Sequence, residues 1–352
     1  MIRNRTVLIL GAGASMPYGY PSGDQLRTML LNPGLFQPLV DKGWIAAESP
    51  DEFCMSFLLS GIDSIDAYLA RRKQPAHADA ADSAQKMGKY GISLALRSRK
   101  KLDSLFHSPR IQNQPLLDRG DDWYGYLWKA ISRDVTSKNL DDLKQNQLTI
   151  VTFNYDLSLE HYLFTALRNA YEIDQDARVQ DLVSSINFIH LYGKLSGNPF
   201  STSFNYDFNF DRDFKLVQSD ISQLDVIDED RQEKIASFDA AIRELEHAHR
   251  ICFLGFGFDP VNVERLALAK TLLWRAEIED QNHSLQWPKI AATTLGIERA
   301  ECFAIAQTLL AEISKSTLRG RADHWRHSVQ TAFDTESNCK SKLLLRRSQM
   351  LY

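Results

Sequence analysis

The chain has 352 residues, 44 % of them apolar or aromatic and 24 % charged, a globular composition that excludes disordered, collagenous and disulfide-stapled classes. Lys and Arg number 41 against 45 Asp and Glu, a net charge of −4, so direct nucleic-acid binding is not indicated. Cys54, Cys252, Cys302 and Cys339 form no CxxC pair, which excludes a paired-cysteine zinc or redox site and fits a reducing, cytoplasmic setting, and no apolar run reaches membrane-spanning length.

Arg3 and Arg5 precede the run Val7 to Leu10, which is too short for the apolar core of a secretory signal. Residues 6–10, Thr-Val-Leu-Ile-Leu, end in glycines and read as a strand buried on both faces. From about 31 to 145 strand signals vanish. Helical stripes take over, such as Ile62, Ile65, Tyr68 and Leu69, then Trp123, Leu127, Trp128 and Ile131. This predicts a helical insertion after the first βα unit, linked around the Ala-rich stretch Gln74 to Gln85.

Buried-strand patterns return at 148–152, 186–191 and 251–254, with a helical stripe of Ile235, Phe238, Ile242 and Leu245 before the last of them. Phe204, Tyr206, Phe208 and Phe210 alternate with polar residues, which suits a half-buried edge strand or a ledge for substrate or a partner strand. Beyond Trp287-Pro288, a strand is expected over 289–294 and a long helix over 297–313. The segment Lys340 to Tyr352 is basic and reads as a solvated tail or a helix docking on another subunit. Strands alternating with helices predict an α/β fold, a Rossmann-like mostly parallel sheet with helices on both faces. Residues 1–30 and 146–315 would form the core, 31–145 the insertion, and 316–352 a C-terminal helix and basic tail.

Chemistry gathers at the predicted strand ends, where open α/β sheets bind ligands. Gly11-Ala12-Gly13-Ala14-Ser15 follows the first strand; glycines there let a backbone approach a pyrophosphate, with N–H groups turned toward its charge. A dehydrogenase fingerprint would need a third glycine where this chain has Met16, and an acid some 20 residues on, whereas residues 26–40 contain none. A turn-rich loop follows, including Pro21 and Ser22, stiff enough to fold over a nucleotide. Asn154 and Asp156 end the second core strand in Thr152-Phe153-Asn154-Tyr155-Asp156, either as helix caps or as site residues. His190 precedes Gly193 after the third strand, and Gly255-Phe256-Gly257 leads to Asp259-Pro260, an N-cap followed by N1.

The order of these four motifs resembles the sirtuin-like NAD-consuming domains, over roughly residues 5 to 268. That resemblance implies an NAD-binding set of Gly11, Ala12, Gly13, Ser15, Pro21, Ser22, Phe153, Gly193, Gly255, Phe256 and Gly257. Protein-deacylating sirtuins carry a four-cysteine zinc module and a Pro-Asp-Phe-Arg segment; this chain has no cysteine pair and reads Pro21-Ser22-Gly23-Asp24 instead. Both departures, with Ser64-Ile65-Asp66 in the insertion, are similar to the bacterial sirtuin-like branch, which implies an NAD+ glycohydrolase that degrades NAD+ in antiphage defence. The expected catalytic set is Asn154 holding the nicotinamide ribose or the attacking water, His190 as general base, and Asp156 orienting the carboxamide or supporting Asn154. NAD+ would be substrate, with no zinc or other cofactor required. An unrestrained NAD+ hydrolase would be toxic, so a homo-oligomer or a partner is expected, the resemblance suggesting a HerA-type ATPase. Two rivals stand: a non-catalytic NAD or ADP-ribose sensor, and an NAD-dependent protein deacylase.

Overall fold

Five short strands, each supplied by a β-branched or aliphatic run, carry the architecture: β1 Thr6–Leu10, β2 Leu148–Thr152, β3 Asn187–His190, β4 Arg250–Leu254 and β5 Lys289–Ala292. In this computed structural model the described residues are 1–71, 78–99, 105–106, 121–201, 208–224, 232–282, 287–316, 323–333 and 340–352. The strands form one all-parallel sheet in the order β3-β2-β1-β4-β5, a Rossmann-like α/β arrangement. Strand order reverses direction beside β1, so the crevice between the ends of β1 and β4 is the topological switch point where such folds bind ligands.

Alternate side chains of β1 serve two cores. Leu8 and Leu10 pack with Trp123, Leu127 and Leu159 on one face, whereas Val7 and Ile9 pack with Leu245, Leu272 and Leu309 on the other. Both faces are covered, which is why these strands read as continuous apolar runs. Among the described residues of 31–145 every regular element is helical, as an insertion after the first βα unit requires. The stretch expected to link that insertion instead begins a long helix, Ala78–Arg99; residues 74–77 lie outside the described set.

That helix is fastened to the helix Phe210–Gln223 by a buried ion pair. Arg97 Nε and Nη2 donate to the two carboxylate oxygens of Asp220 at 2.7 Å each, and Ser196 N donates to Asp220 Oδ1 at 2.6 Å. Ser93 Oγ donates to the same carboxylate. Asp220 is fully buried, and its charge is tolerated because every lone-pair direction is occupied.

Three expectations change. Phe210 opens a helix, Phe210–Gln223, with Asn209 as its N-cap accepting from Arg212 N, rather than continuing a strand; Phe204 and Tyr206 lie outside the described residues, as does the side chain of Ile235. The long helix expected over 297–313 is two, Arg299–Leu309 and Ala311–Lys315. The basic C-terminal segment is not a solvated tail: it forms the helix Ser341–Ser348, and its Leu344, Leu345, Met350 and Leu351 are buried in the core that also holds Trp123. Arg250 Nη1 donates to Met350 O at 3.1 Å, and Lys289 Nζ donates to Ser348 O. No helix among the described residues is long and apolar enough to cross a membrane.

Replacing Asp220 with Ala leaves the Arg97 guanidinium buried without its counter-charge, and the expected loss is about 3 to 5 kcal/mol in urea unfolding; an unchanged midpoint would show that the pair does not fasten the insertion.

Candidate active site

The turn after β1 and the turn after β4 touch backbone to backbone. Gly11 N donates to Leu254 O at 3.1 Å and Gly13 N to Gly255 O at 3.0 Å. A Cβ on Gly11 would sit 2.5 Å from Gly255 O, and one on Gly255 would sit 2.0 Å from Ala14 N, with φ of 56° at Gly255 adding strain for any L side chain. These glycines are therefore required by each other before any ligand is considered.

This corrects one expectation about the glycine loop. The N–H groups of Gly11, Gly13, Ala14 and Ser15 all donate to backbone carbonyls, so they are not available to a pyrophosphate. Among the described residues only Ala12 N within this motif makes no such bond. The N-terminus of the helix Gly23–Leu30 also borders the space, with Ser22 as its N-cap in a capping box with Gln25.

Over these turns lies a cavity of about 540 Å³, a size suited to a small-molecule ligand. It is lined by Gly11, Ala12, Gly13, Ser15, Pro21, Ser22, Phe153, Asn154, Asp156, Gly255, Phe256 and Gly257, every candidate except His190 and Gly193. Gly193 instead takes a left-handed turn, φ 74°, beyond β3 and bridges to Leu224.

The Asn154 side chain is clamped. Its Nδ2 donates to Gly11 O and to Ser15 Oγ, both at 3.0 Å, and because a carbonyl oxygen only accepts, the amide orientation is fixed. Its Oδ1 makes no hydrogen bond among the described residues. Ser15 Oγ in turn donates to Asp156 Oδ2 at 2.9 Å. Asp156 also accepts from Ser158 N at 3.1 Å and from Ser158 Oγ, whose hydroxyl shares a further bond of 2.7 Å with the Tyr124 hydroxyl. Burial raises the Asp156 carboxyl above the usual carboxylate range, against the hydrogen bonds of Ser158 and Ser15, which pull it down. Asp156 thus reaches the Asn154 amide through the Ser15 hydroxyl.

His190 stands behind this clamp. Its Nδ1 is 3.2 Å from the Asn154 carbonyl, which only accepts, so Nδ1 carries a proton; Nε2 lies 2.7 Å from Glu160 Oε1. Both ring nitrogens are engaged away from the cavity, and the side chains of His190 and Glu160 are 8 % and 7 % exposed. A general base on the attacking water needs a nitrogen facing the cavity. His190 reaches the site only through the Asn154 carbonyl.

Sequence reading missed several walls. Tyr20, Asp24, Asp63, Tyr155, Tyr192, Asp259 and Asn262 also line the cavity. Tyr155 Oη donates to Asp66 Oδ1, so Ser64-Ile65-Asp66 of the insertion reaches the strand-end motif. Asp259 caps its helix through Val261 N and Asn262 N at 3.0 and 3.2 Å, as its position before Pro260 signalled. Asp24 ends the turn-rich loop expected over the nucleotide, whereas nothing in the sequence marked Asp63, whose place on the wall comes from its loop. The cavity wall carries Asp24, Asp63, Asp66, Asp156 and Asp259 and, among the described residues, no Lys or Arg. No group of His, Cys, Asp and Glu among the described residues has a metal-binding arrangement; Cys54, Cys252 and Cys302 are buried and separate, and Cys339 lies outside the described set.

The fold and this cavity define a Rossmann-like α/β protein with a strand-end cavity at its switch point. No family model and no curated protein matches the chain.

Because the folded state holds the Asp156 proton more tightly than the unfolded chain does, this contribution to stability is fully present below the unfolded value of about 3.9 and is lost as pH rises through the raised folded value. The native protein should therefore gain stability relative to Asp156→Asn as pH falls from about 7.5 toward about 4.5, read by urea unfolding of both proteins; a difference that does not move with pH would contradict the raised carboxyl.

Proposed function

We propose that the chain is an NAD+ glycohydrolase, releasing nicotinamide and ADP-ribose, with NAD+ as substrate and no resident cofactor. The observation that carries this reading is the Asn154 amide, locked by Gly11 O and Ser15 Oγ with its Oδ1 left unbonded in a strand-end cavity. An acceptor fixed at that place can take a ribose hydroxyl or the proton of an attacking water. The reaction, NAD+ plus water to ADP-ribose, nicotinamide and a proton, breaks the bond from the ribose carbon to a cationic ring nitrogen. The ring leaves neutral, and positive charge moves onto the sugar in an oxocarbenium-like transition state. A wall carrying Asp24, Asp66 and Asp259, with no Lys or Arg among the described lining, favours both the cationic ring and that sugar cation. Little activation of the water is then needed, which fits a site from which His190 faces away.

The four-motif resemblance to sirtuin-like domains supports the same reading and extends it to an NAD-depleting antiphage effector, cytoplasmic, working as a homo-oligomer or with a HerA-type ATPase. The deacylase rival gains no support from the geometry. The sensor rival does draw on one observation, the engagement of both His190 nitrogens, which leaves the cavity without the expected base.

Purified protein incubated with NAD+, alone and with the product of a neighbouring ATPase gene, should release free nicotinamide, and Asn154→Ala should slow that release by ~10²-fold or more. Release at the native rate by Asn154→Ala would overturn the assignment, and ADP-ribose binding without nicotinamide release under either condition would favour the sensor.

A further inference from the structure

Two surface helices present outer faces of opposite character. The first is Ser49–Leu59, in the insertion. Its inner side buries Phe53, Cys54 and Phe57. Its outer side runs from Glu48, Asp51 and Glu52 to Met55, Leu58 and Leu59, all exposed, and this spacing places them on one helical face. Leu59 is 77 % exposed, Met55 51 % and Leu58 48 %; large apolar side chains grouped in this way mark a contact surface, unlike apolar residues scattered singly. No Lys or Arg occurs from 48 to 59. The second is the C-terminal helix Ser341–Ser348. Leu344 and Leu345 bury its inner side, and Leu343, Arg346 and Arg347 are exposed on its outer side. Residues 340–352 contain no Asp or Glu. This face therefore runs from apolar to basic where the first runs from acidic to apolar. Each charge stands at the helix end that its own backbone dipole favours, so the pattern is compatible with both helices, whereas the exposed Met55, Leu58 and Leu59 gain nothing within one chain.

We propose that these two faces bind each other between copies of the chain. The occupant of the Ser49–Leu59 face is the C-terminal helix of a second copy, laid antiparallel. That direction sets Asp51 and Glu52 against Arg346 and Arg347, while Leu343 meets the patch of Met55, Leu58 and Leu59. Parallel packing would press the arginines onto the apolar patch and bury charge without a partner. Complementarity selects a copy of this chain because the face required, apolar at the start of a helix and basic at its end, is the one its own last helix presents. Since the two faces are unlike, the contact closes as a pair where each copy gives one face and receives the other, and otherwise repeats head to tail. The function proposed above includes a homo-oligomer without saying which surfaces meet. The contact stands independently of the NAD+ chemistry, because neither helix lines the strand-end cavity.

The test is the mass of the full chain by sedimentation, without NAD+, at concentrations up to about 100 µM, a range that captures small interfaces. Two charge-reversed proteins are compared with the native one: Asp51→Lys with Glu52→Lys, and Arg346→Glu with Arg347→Glu. All four positions are exposed, and each protein is checked for a native unfolding midpoint. The native protein should assemble beyond a single chain, less so at high salt. Each reversed protein sets like charges face to face and should weaken assembly by about tenfold or more. Mixing the two should restore it, since the reversed acidic face then meets the reversed basic one, an outcome that damage to the fold would not produce. A native protein that stays a single chain, reversed proteins that assemble as the native one does, or a mixture that stays apart would overturn the inference. Assembly only with the product of a neighbouring ATPase gene would also overturn it, by assigning the face another occupant. A native protein that assembles as expected but never releases nicotinamide would keep this contact and overturn the glycohydrolase reading.

Discussion

The contact on which this molecule depends is the closure of two backbone turns on each other at the ends of β1 and β4. Gly11 and Gly13 donate to Leu254 O and Gly255 O, and the space where their side chains would be is filled by the opposing main chain. Parallel neighbours in a sheet bring strand ends together but leave the loops free to diverge. Here the loops are bonded as if the sheet ran on past its last residues. The consequence is a rigid ridge of main chain beside the strand-end cavity, so that this wall is backbone and not movable side chain. Thr293 Oγ1, accepting from Gly255 N at 2.7 Å, holds the ridge from the β5 side.

From that ridge the polar order of the site propagates in one direction. Gly11 O fixes the Asn154 amide, Ser15 Oγ bridges it to Asp156, and Asp156 is seated by Ser158 and, through it, by Tyr124. Tyr124 stacks on Tyr18 with ring centroids 3.6 Å apart, and Trp123 Nε1 donates to Ala14 O at 2.8 Å. The helix carrying Trp123 and Tyr124 belongs to the insertion. The insertion is thus structural support for the strand-end chemistry, and it also contributes Asp66 to the cavity wall. A polar network of this kind is stable only when every buried member is paired, which makes the insertion hard to separate from the core it interrupts.

The sheet was legible because doubly covered parallel strands leave an unbroken apolar signature, and all five strands lie where residues such as Val7, Ile150, Ile189, Phe253 and Ile290 place them. Much of the cavity wall was legible for a related reason: in this topology strand ends converge, so motifs at the ends of β1, β2 and β4 had to meet. Orientations were not legible. His190 ends β3 as its sequence implied, but whether an imidazole faces a cavity or a carboxylate depends on a residue 30 positions away, Glu160, and no spacing rule links the two. Gly193, expected at the ligand, takes a left-handed φ in the turn beyond β3, outside the cavity lining. The C-terminal segment misled because four basic residues outweighed the apolar stripe of Leu344 and Leu345, which long cationic side chains allow by reaching past a buried face to solvent.

The position of His190 has a mechanistic corollary. With Nδ1 donating to Asn154 O, the proton between Nε2 and Glu160 sits in a pair that is shielded from the cavity by the Asn154 main chain. Such a pair cannot shuttle protons with a bound molecule. It can fix the carbonyl of Asn154 on one side while Gly11 O and Ser15 Oγ fix its amide on the other, so the residue is held at both ends. The proposed glycosidic cleavage, with its neutral leaving group, would ask for this kind of rigidity more than for acid or base strength, because its barrier would lie in charge developing on the sugar. A preorganised acceptor beside carboxylates stabilises that charge without having to reorganise as it forms.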